Sequence, residues 1–195
     1  MRVMGVDCGS QITGYGVVEM EDSGNSDIAP RASSPGELVC RAAGSIHLDA
    51  RKPLPERLAK VFAELSRIMR EHQPAIVAIE DVFYAANAKT ALKLGHVRGV
   101  AMLAAAAARL PVAEYAPLAI KSAVVGYGRA EKHQVQMMVA RLLKLASLPE
   151  PDAADALAIA ICHLHTAATE VRLHHGGAET PRKPNSKTWN LKLET

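Results

Sequence analysis

An acid stands inside an apolar strand near the start of the chain, and no other feature constrains the fold as much. The stretch Val3-Met4-Gly5-Val6-Asp7-Cys8-Gly9-Ser10 reads as a buried strand, and Thr13-Gly14-Tyr15-Gly16-Val17-Val18 as its return. Acids are almost never fully buried unless paired, and an isolated buried charge is costly. Asp7 therefore needs a partner or a cation. The Gly-rich turn after it lets the chain swing back as a hairpin, with one carboxylate near the sheet centre.

What meets Asp7 depends on the elements that follow. Residues 2–8 and 12–20 form the hairpin, and residues 37–49 resume strand character and complete an antiparallel meander. Residues 21–36 are a polar surface loop. Pro53 and Pro55 precede a helix with Leu58, Val61, Phe62, Leu65, Ile68 and Met69 at helical spacing, which Pro74 ends. Residues 75–80, Ala-Ile-Val-Ala-Ile-Glu, are a continuous apolar run, the pattern of a central strand. Asn87 is placed to cap a long Ala-rich helix from about 88 to 109. Gly95 and Gly99 within it cost up to about 1 kcal/mol each against Ala, so close approach of another backbone, in the chain or across a dimer, is expected there. A short strand over 111–116, one or two helical turns over 117–124, a helix over 130–145 and a last helix from Asp152 to about Ala168 complete the order. That order predicts an α/β domain over 1–170, a mixed five-stranded sheet flanked by helices. Residues 171–195 lack periodicity and are expected to be a disordered basic tail. Its single Trp, Trp189, is a candidate anchor for a partner.

Charge is distributed unevenly. Residues 83–144 carry nine basic and two acidic groups, whereas 145–170 carry four acidic and none basic. A basic middle beside acid-bearing ends suits a polyanion next to an acidic site, although solvated helix faces give the same count. The three cysteines, Cys8, Cys40 and Cys162, are odd in number and lack metal-ligand spacing, which fits a reduced, cytoplasmic compartment. No signal peptide or membrane-spanning run is expected.

Four acids form the candidate site. Asp7 lies inside a strand, Glu80 closes another, and Asp152 and Asp155 are three apart at the start of an apolar helix, on one face of it. Each has an ordinary explanation alone: Glu80 as a solvated strand end, Asp152 as an N-cap with Asp155 as its first-turn companion. An Asp followed by a Gly-rich turn also occurs in phosphate loops of actin-like kinases and ATPases. Such a fold needs a second phosphate loop and a second domain, for which 195 residues leave no room. Together the four acids would repel one another, and a divalent cation removes that conflict. Oxygen-only ligands select Mg²⁺ or Mn²⁺, and paired ions about 4 Å apart serve phosphodiester hydrolysis.

The same residues carry a resemblance. Gly5-Val6-Asp7-Cys8-Gly9-Ser10 with Thr13-Gly14-Tyr15-Gly16, then Ile79-Glu80-Asp81-Val82-Phe83 with Asn87, resemble the RuvC family of Holliday junction resolvases. So do Ala91-Leu92-Lys93-Leu94-Gly95 with Arg98-Gly99-Val100, Lys121, Val124-Val125-Gly126, and Glu131-Lys132 with Gln134-Val135-Gln136. The run Asp152-Ala153-Ala154-Asp155-Ala156-Leu157 closes a match over roughly residues 2–168. The family's usual Asp-Pro-Gly is Asp7-Cys8-Gly9 here, which raises the question of an oxidation-sensitive site at Cys8.

The resemblance implies a ribonuclease H-like fold and a homodimer that nicks a four-way DNA junction symmetrically. It implies Asp7, Glu80, Asp152 and Asp155 as catalytic acids and metal ligands, with two Mg²⁺ per subunit replaceable by Mn²⁺. It further implies Lys121 and Lys132 near the scissile phosphate and Phe83 against junction bases, with Tyr84 and Asn87 beside it. Lys89, Lys93, Arg98 and Arg129 are expected to add DNA-backbone contacts, Arg98 alternatively serving the dimer face. The RuvA–RuvB branch-migration complex is the implied partner, and no membrane is expected. A ribonuclease H-like nuclease for another nucleic acid and a non-catalytic junction-binding module are the alternatives.

Overall fold

The computed structural model describes residues 1–21, 36–81, 88–175 and 186–189, with backbone alone at 89, 170–175 and 186–189. Phe83, Tyr84, Asn87, the side chain of Lys89 and nearly all of loop 21–36 lie outside the described residues.

Strands β1 (Arg2–Asp7), β2 (Ile12–Glu21) and β3 (Glu37–His47) pair antiparallel in sequence order. Helix α1 (Leu54–His72) buries Val61, Leu65, Ile68 and Met69, one turn apart along one face. It stops at Gln73, whose φ of 48° is left-handed, just ahead of Pro74. Strand β4 (Ile76–Glu80) then adds parallel to β1, and β5 (Val112–Tyr115) parallel to β4 after the crossover helix α2 (Ala88–Ala107). Helices α3 (Pro117–Val125), α4 (Lys132–Leu142) and α5 (Pro151–His175) follow. The strand order is β3-β2-β1-β4-β5, extended by β6 (Ser186–Trp189) antiparallel to β5. The expected five-stranded mixed sheet thus gains a sixth strand.

That strand corrects the expectation for residues 171–195 in part. Helix α5 runs on to His175, where Gly176-Gly177 follows. Ser186–Trp189 then pairs along the open edge of β5, with Trp189 opposite Val112. Edge pairing uses backbone groups and needs no apolar alternation, so the polar sequence gave no sign of it.

Two cores lie on opposite faces of the sheet. Met4, Val6, Val17, Val77 and Ile79 pack with Val61, Leu65, Val97 and Ala101 beneath α1 and α2. Val3, Ala78, Ala113 and Tyr115 pack with Leu157, Ile161, Ile120 and Val135 beneath α3, α4 and α5. Side chains alternate across a strand, so Asp7, two residues beyond Gly5, and Glu80, two beyond Ala78, take the α5 face.

Glycine decides how closely α5 sits there. A Cβ at Gly5 would overlap the carbonyl oxygen of Ala156, and one at Gly14 the carbonyl oxygen of Asp152. Gly14 is also the cross-strand partner of Asp7. The first turn of α5 is thereby laid directly beside the acid. By contrast, Gly95 and Gly99 have nothing within 4 Å among the described residues. The close approach expected at those two positions is made by no described residue of the chain, which leaves the dimer alternative.

Candidate active site

Each acid reaches the site for a local reason. Asp7 and Glu80 end parallel neighbours, β1 and β4, so their side chains stand at one edge of the sheet. Asp152 and Asp155 come from α5, which starts at Pro151. Pro suits the first helical position, and Asp152 lies inside the first turn rather than at the cap. Glu131 precedes α4, and Gln134 Oε1 accepts from its backbone N–H at 2.9 Å. This cap fixes Lys132 at the first position of the helix.

A cleft of about 290 Å³ results, lined by Asp7, Glu80, Asp155, Lys121 and Lys132 with an apolar wall that includes Pro117, Ile120 and Val135. Lys132 Nζ donates to Asp155 Oδ2 at 2.8 Å. Asp152 is not among the cleft-lining residues but adds its charge from beside Gly14.

Electrostatics couple the group. Burial pushes Asp7 from 3.8 up to about 7, aided by the charges of Asp155, Glu80 and Asp152 and opposed by Lys132. Glu80 is raised as well, by burial first and Asp155 second, against Lys132 and Lys121. Its hydrogen bond to Asp155 raises Lys132, which holds its charge more firmly. Among the described residues no three of these groups meet at metal-ligating distance. That spacing is consistent with like charges held apart. Converging carboxylates that raise one another's pKa are a donor set suited to a hard divalent cation.

The remaining expected residues divide. Lys93 and Arg129 are exposed, and Lys93 borders a small depression beside Ser10 and Arg57. Arg98 is not presented as a free cation: its Nη2 lies 3.3 Å from Asp81 Oδ1 and 3.0 Å from Glu114 Oε1. Its expected role as a DNA-backbone contact, or as part of a dimer face, therefore lacks structural support. Cys8 is buried, and burial together with the neighbouring Asp7 charge pushes its thiol up to about 12. Reactivity belongs to the thiolate, so burial and the raised thiol both disfavour oxidation at Cys8.

One acid escaped the sequence expectations, and one histidine is satisfied within the fold. Glu114 is 7% exposed within Val-Ala-Glu-Tyr, the same signal of an acid in an apolar strand that marked Asp7. His163 Nδ1 lies 2.7 Å from the Tyr115 hydroxyl, and burial lowers the imidazole's pKa. A single His on an apolar helix carries no sequence mark of such a partner.

Known proteins resemble this chain in sequence and in fold. The family model described as crossover junction endodeoxyribonuclease RuvC matches residues 3–163. A protein of that name from Koribacter versatilis is 64% identical over 175 residues, covering 89% of this chain and 98% of its own. The structure of Thermus thermophilus RuvC in complex with a Holliday junction substrate superposes with a TM-score of 0.77. It is 30% identical, over 87% of this chain and 96% of that one. The yeast mitochondrial Holliday junction resolvase superposes at 0.61 with 13% identity, covering 89% and 83%, a likeness of fold alone. The fold is of the α/β, ribonuclease H-like class. Enzymes of this kind are metal-dependent nucleases. With the family model spanning most of the chain and a relative matched nearly end to end, this chain belongs to the RuvC family of crossover junction endodeoxyribonucleases.

Proposed function

We propose that the chain resolves four-way DNA junctions by Mg²⁺-dependent phosphodiester hydrolysis. One observation carries the proposal most: Asp7, Glu80 and Asp155 line a single cleft with Lys121 and Lys132, in a member of a resolvase family. Asp7, Glu80, Asp152 and Asp155 would hold the metal, two Mg²⁺ per subunit with Mn²⁺ able to substitute. When bound, the metal supplies Lewis acidity toward water and toward the scissile phosphate. Lys121 and Lys132, which line the same cleft, would stabilise the phosphate's developing charge. Lys132 now bonds Asp155, and a cation on the acids would leave its ammonium available to the substrate. Phe83, Tyr84 and Asn87 would meet the junction bases, and Lys89, Lys93 and Arg129 the DNA backbone. We assign the nuclease domain to residues 1–170.

The decisive assay compares a synthetic four-way junction with a linear duplex of the same sequence. Cleavage of the junction with Mg²⁺, none with EDTA, and little cutting of the duplex are expected. Equal cutting of both substrates overturns the assignment.

Symmetric nicking calls for two sites about a two-fold axis, and we assign the dimer contact to α2. Leu92 and Leu103 are 66% and 59% exposed, with Gly95 and Gly99 open between them. These four positions share one helical face, on which small residues admit a second helix closely. Leu103→Glu is expected to yield a monomer in light scattering and to lose paired nicking while remaining folded. A variant that stays dimeric places the contact elsewhere. The RuvA–RuvB complex is the proposed partner, and the cytoplasm, where the DNA is, the proposed location. Among the described residues no helix is long and apolar enough to cross a membrane.

A further inference from the structure

We infer that Arg98 is a positioning residue. From α2 it clamps the end of β4 and so sets where the Glu80 carboxylate stands.

Glu80 is the last residue of β4 and pairs with Tyr115, while Ile79 pairs with Glu114. One more ladder bond follows, from the Asp81 backbone N–H to the Tyr115 carbonyl at 2.8 Å. Among the described residues of this segment, Asp81 is the last that the ladder holds. Alternation turns Glu80 toward α5 and turns Asp81, like Ile79, toward α2. Arg98 meets Asp81 there, and it meets Glu114 on the neighbouring strand through the same nitrogen. One guanidinium thus ties the ends of β4 and β5 to a helix on the face opposite the cleft.

The tie is partly desolvated. The three side chains are 21%, 18% and 8% exposed for Arg98, Asp81 and Glu114. Removing one member of such a group leaves an uncompensated charge behind. Without Arg98, two carboxylates on adjacent strands would repel each other directly beneath the catalytic edge. Relief of that repulsion moves the Asp81 backbone and Glu80 with it. A displacement of about 1 Å at a reacting group can lower a rate ~10²-fold. Arg98 also has little to offer DNA, because two acids already engage it.

A Lys is a poor replacement here, since its strongly hydrated ammonium on a shorter side chain does not reproduce the reach of Nη2 to both acids. Arg98→Lys and Asp81→Asn are therefore the test variants, both mild enough to fold. Three quantities are measured: junction affinity and its salt dependence in EDTA, single-turnover cleavage, and the Mg²⁺ concentration for half-maximal rate. In both variants EDTA affinity and salt slope are expected to stay within about twofold of the parent. The cleavage rate is expected to fall by about 10- to 100-fold, and the Mg²⁺ requirement to rise several-fold. A merely destabilised enzyme would lose burst amplitude at an unchanged Mg²⁺ requirement, and that result overturns the inference. So does a tenfold loss of EDTA affinity with a shallower salt slope, which would make Arg98 a phosphate contact. The inference rests on the active-site assignment above. Glu80→Gln in the same assays separates the two: full cleavage by that variant removes the site assignment itself, whatever Arg98 does.

Discussion

Asp7→Asn is expected to lower junction cleavage by at least ~10³-fold while making the metal-free protein more stable at neutral pH. The two effects have one cause. Burial and three neighbouring acids push Asp7 up to about 7, against an ordinary value of 3.8. The folded chain then holds this proton more tightly than the unfolded chain does. Stability from this group is therefore full below about 4 and is lost as pH rises from there through about 7. A displacement that large amounts to on the order of a few kcal/mol. Above pH 7 the parent carries the whole cost, whereas Asn carries no charge at any pH. Thermal melts in EDTA from pH 4.5 to 8.5 should show the parent weakening and the variant nearly level. Added Mg²⁺ should raise the parent's melting temperature at pH 8 and leave the variant's almost unmoved. A variant that melts below the parent at pH 8 in EDTA, or that still cleaves, contradicts this account of Asp7.

The sheet and the acids were legible in the sequence because each is marked by local contrast. Asp7 and Glu80 stand out against apolar neighbours, and the period of two then puts both on one face. Pro53, Pro74 and Pro151 mark the limits of α1 and the start of α5 with similar clarity. Other features depend on what passes overhead, which no local pattern reports. Gly14 read as one residue of the return strand, yet its missing side chain is the seat of Asp152. Gly95 and Gly99 read as sites of close approach within the chain or across a dimer, and no described residue of this chain comes within 4 Å of them. Arg98 illustrates a different limit. A basic residue in a basic stretch suggests DNA, and only the register of β4 against β5 shows that two acids meet it. Glu114 carried the same mark as Asp7, but its neighbours gave no hint of a cationic partner on α2.

Gly14→Ala is expected to impair the enzyme almost as severely, through a single carbon atom that itself takes no part in the chemistry. The backbone at Gly14 is not among those with positive φ, so Ala adopts it without strain, and space alone is at issue. That space is filled by the Asp152 carbonyl, a backbone atom that cannot rotate away as a side chain can. The start of α5 must lift from β2, and Asp152 and Asp155 go with it. Overpacking of this kind costs about 1–3 kcal/mol, which lowers the melting temperature by roughly 2–12 °C for a domain of this class. Cleavage should fall by about 10²-fold, since the acids leave Asp7 by a fraction of their working distance. The stabilisation by Mg²⁺ should shrink in parallel, which separates lost site geometry from lost stability. A Gly14→Ala variant that melts lower yet keeps the parent's Mg²⁺ response and cleavage rate would mean that α5 can tilt without moving its first turn. The seat at Gly14 would then serve packing alone.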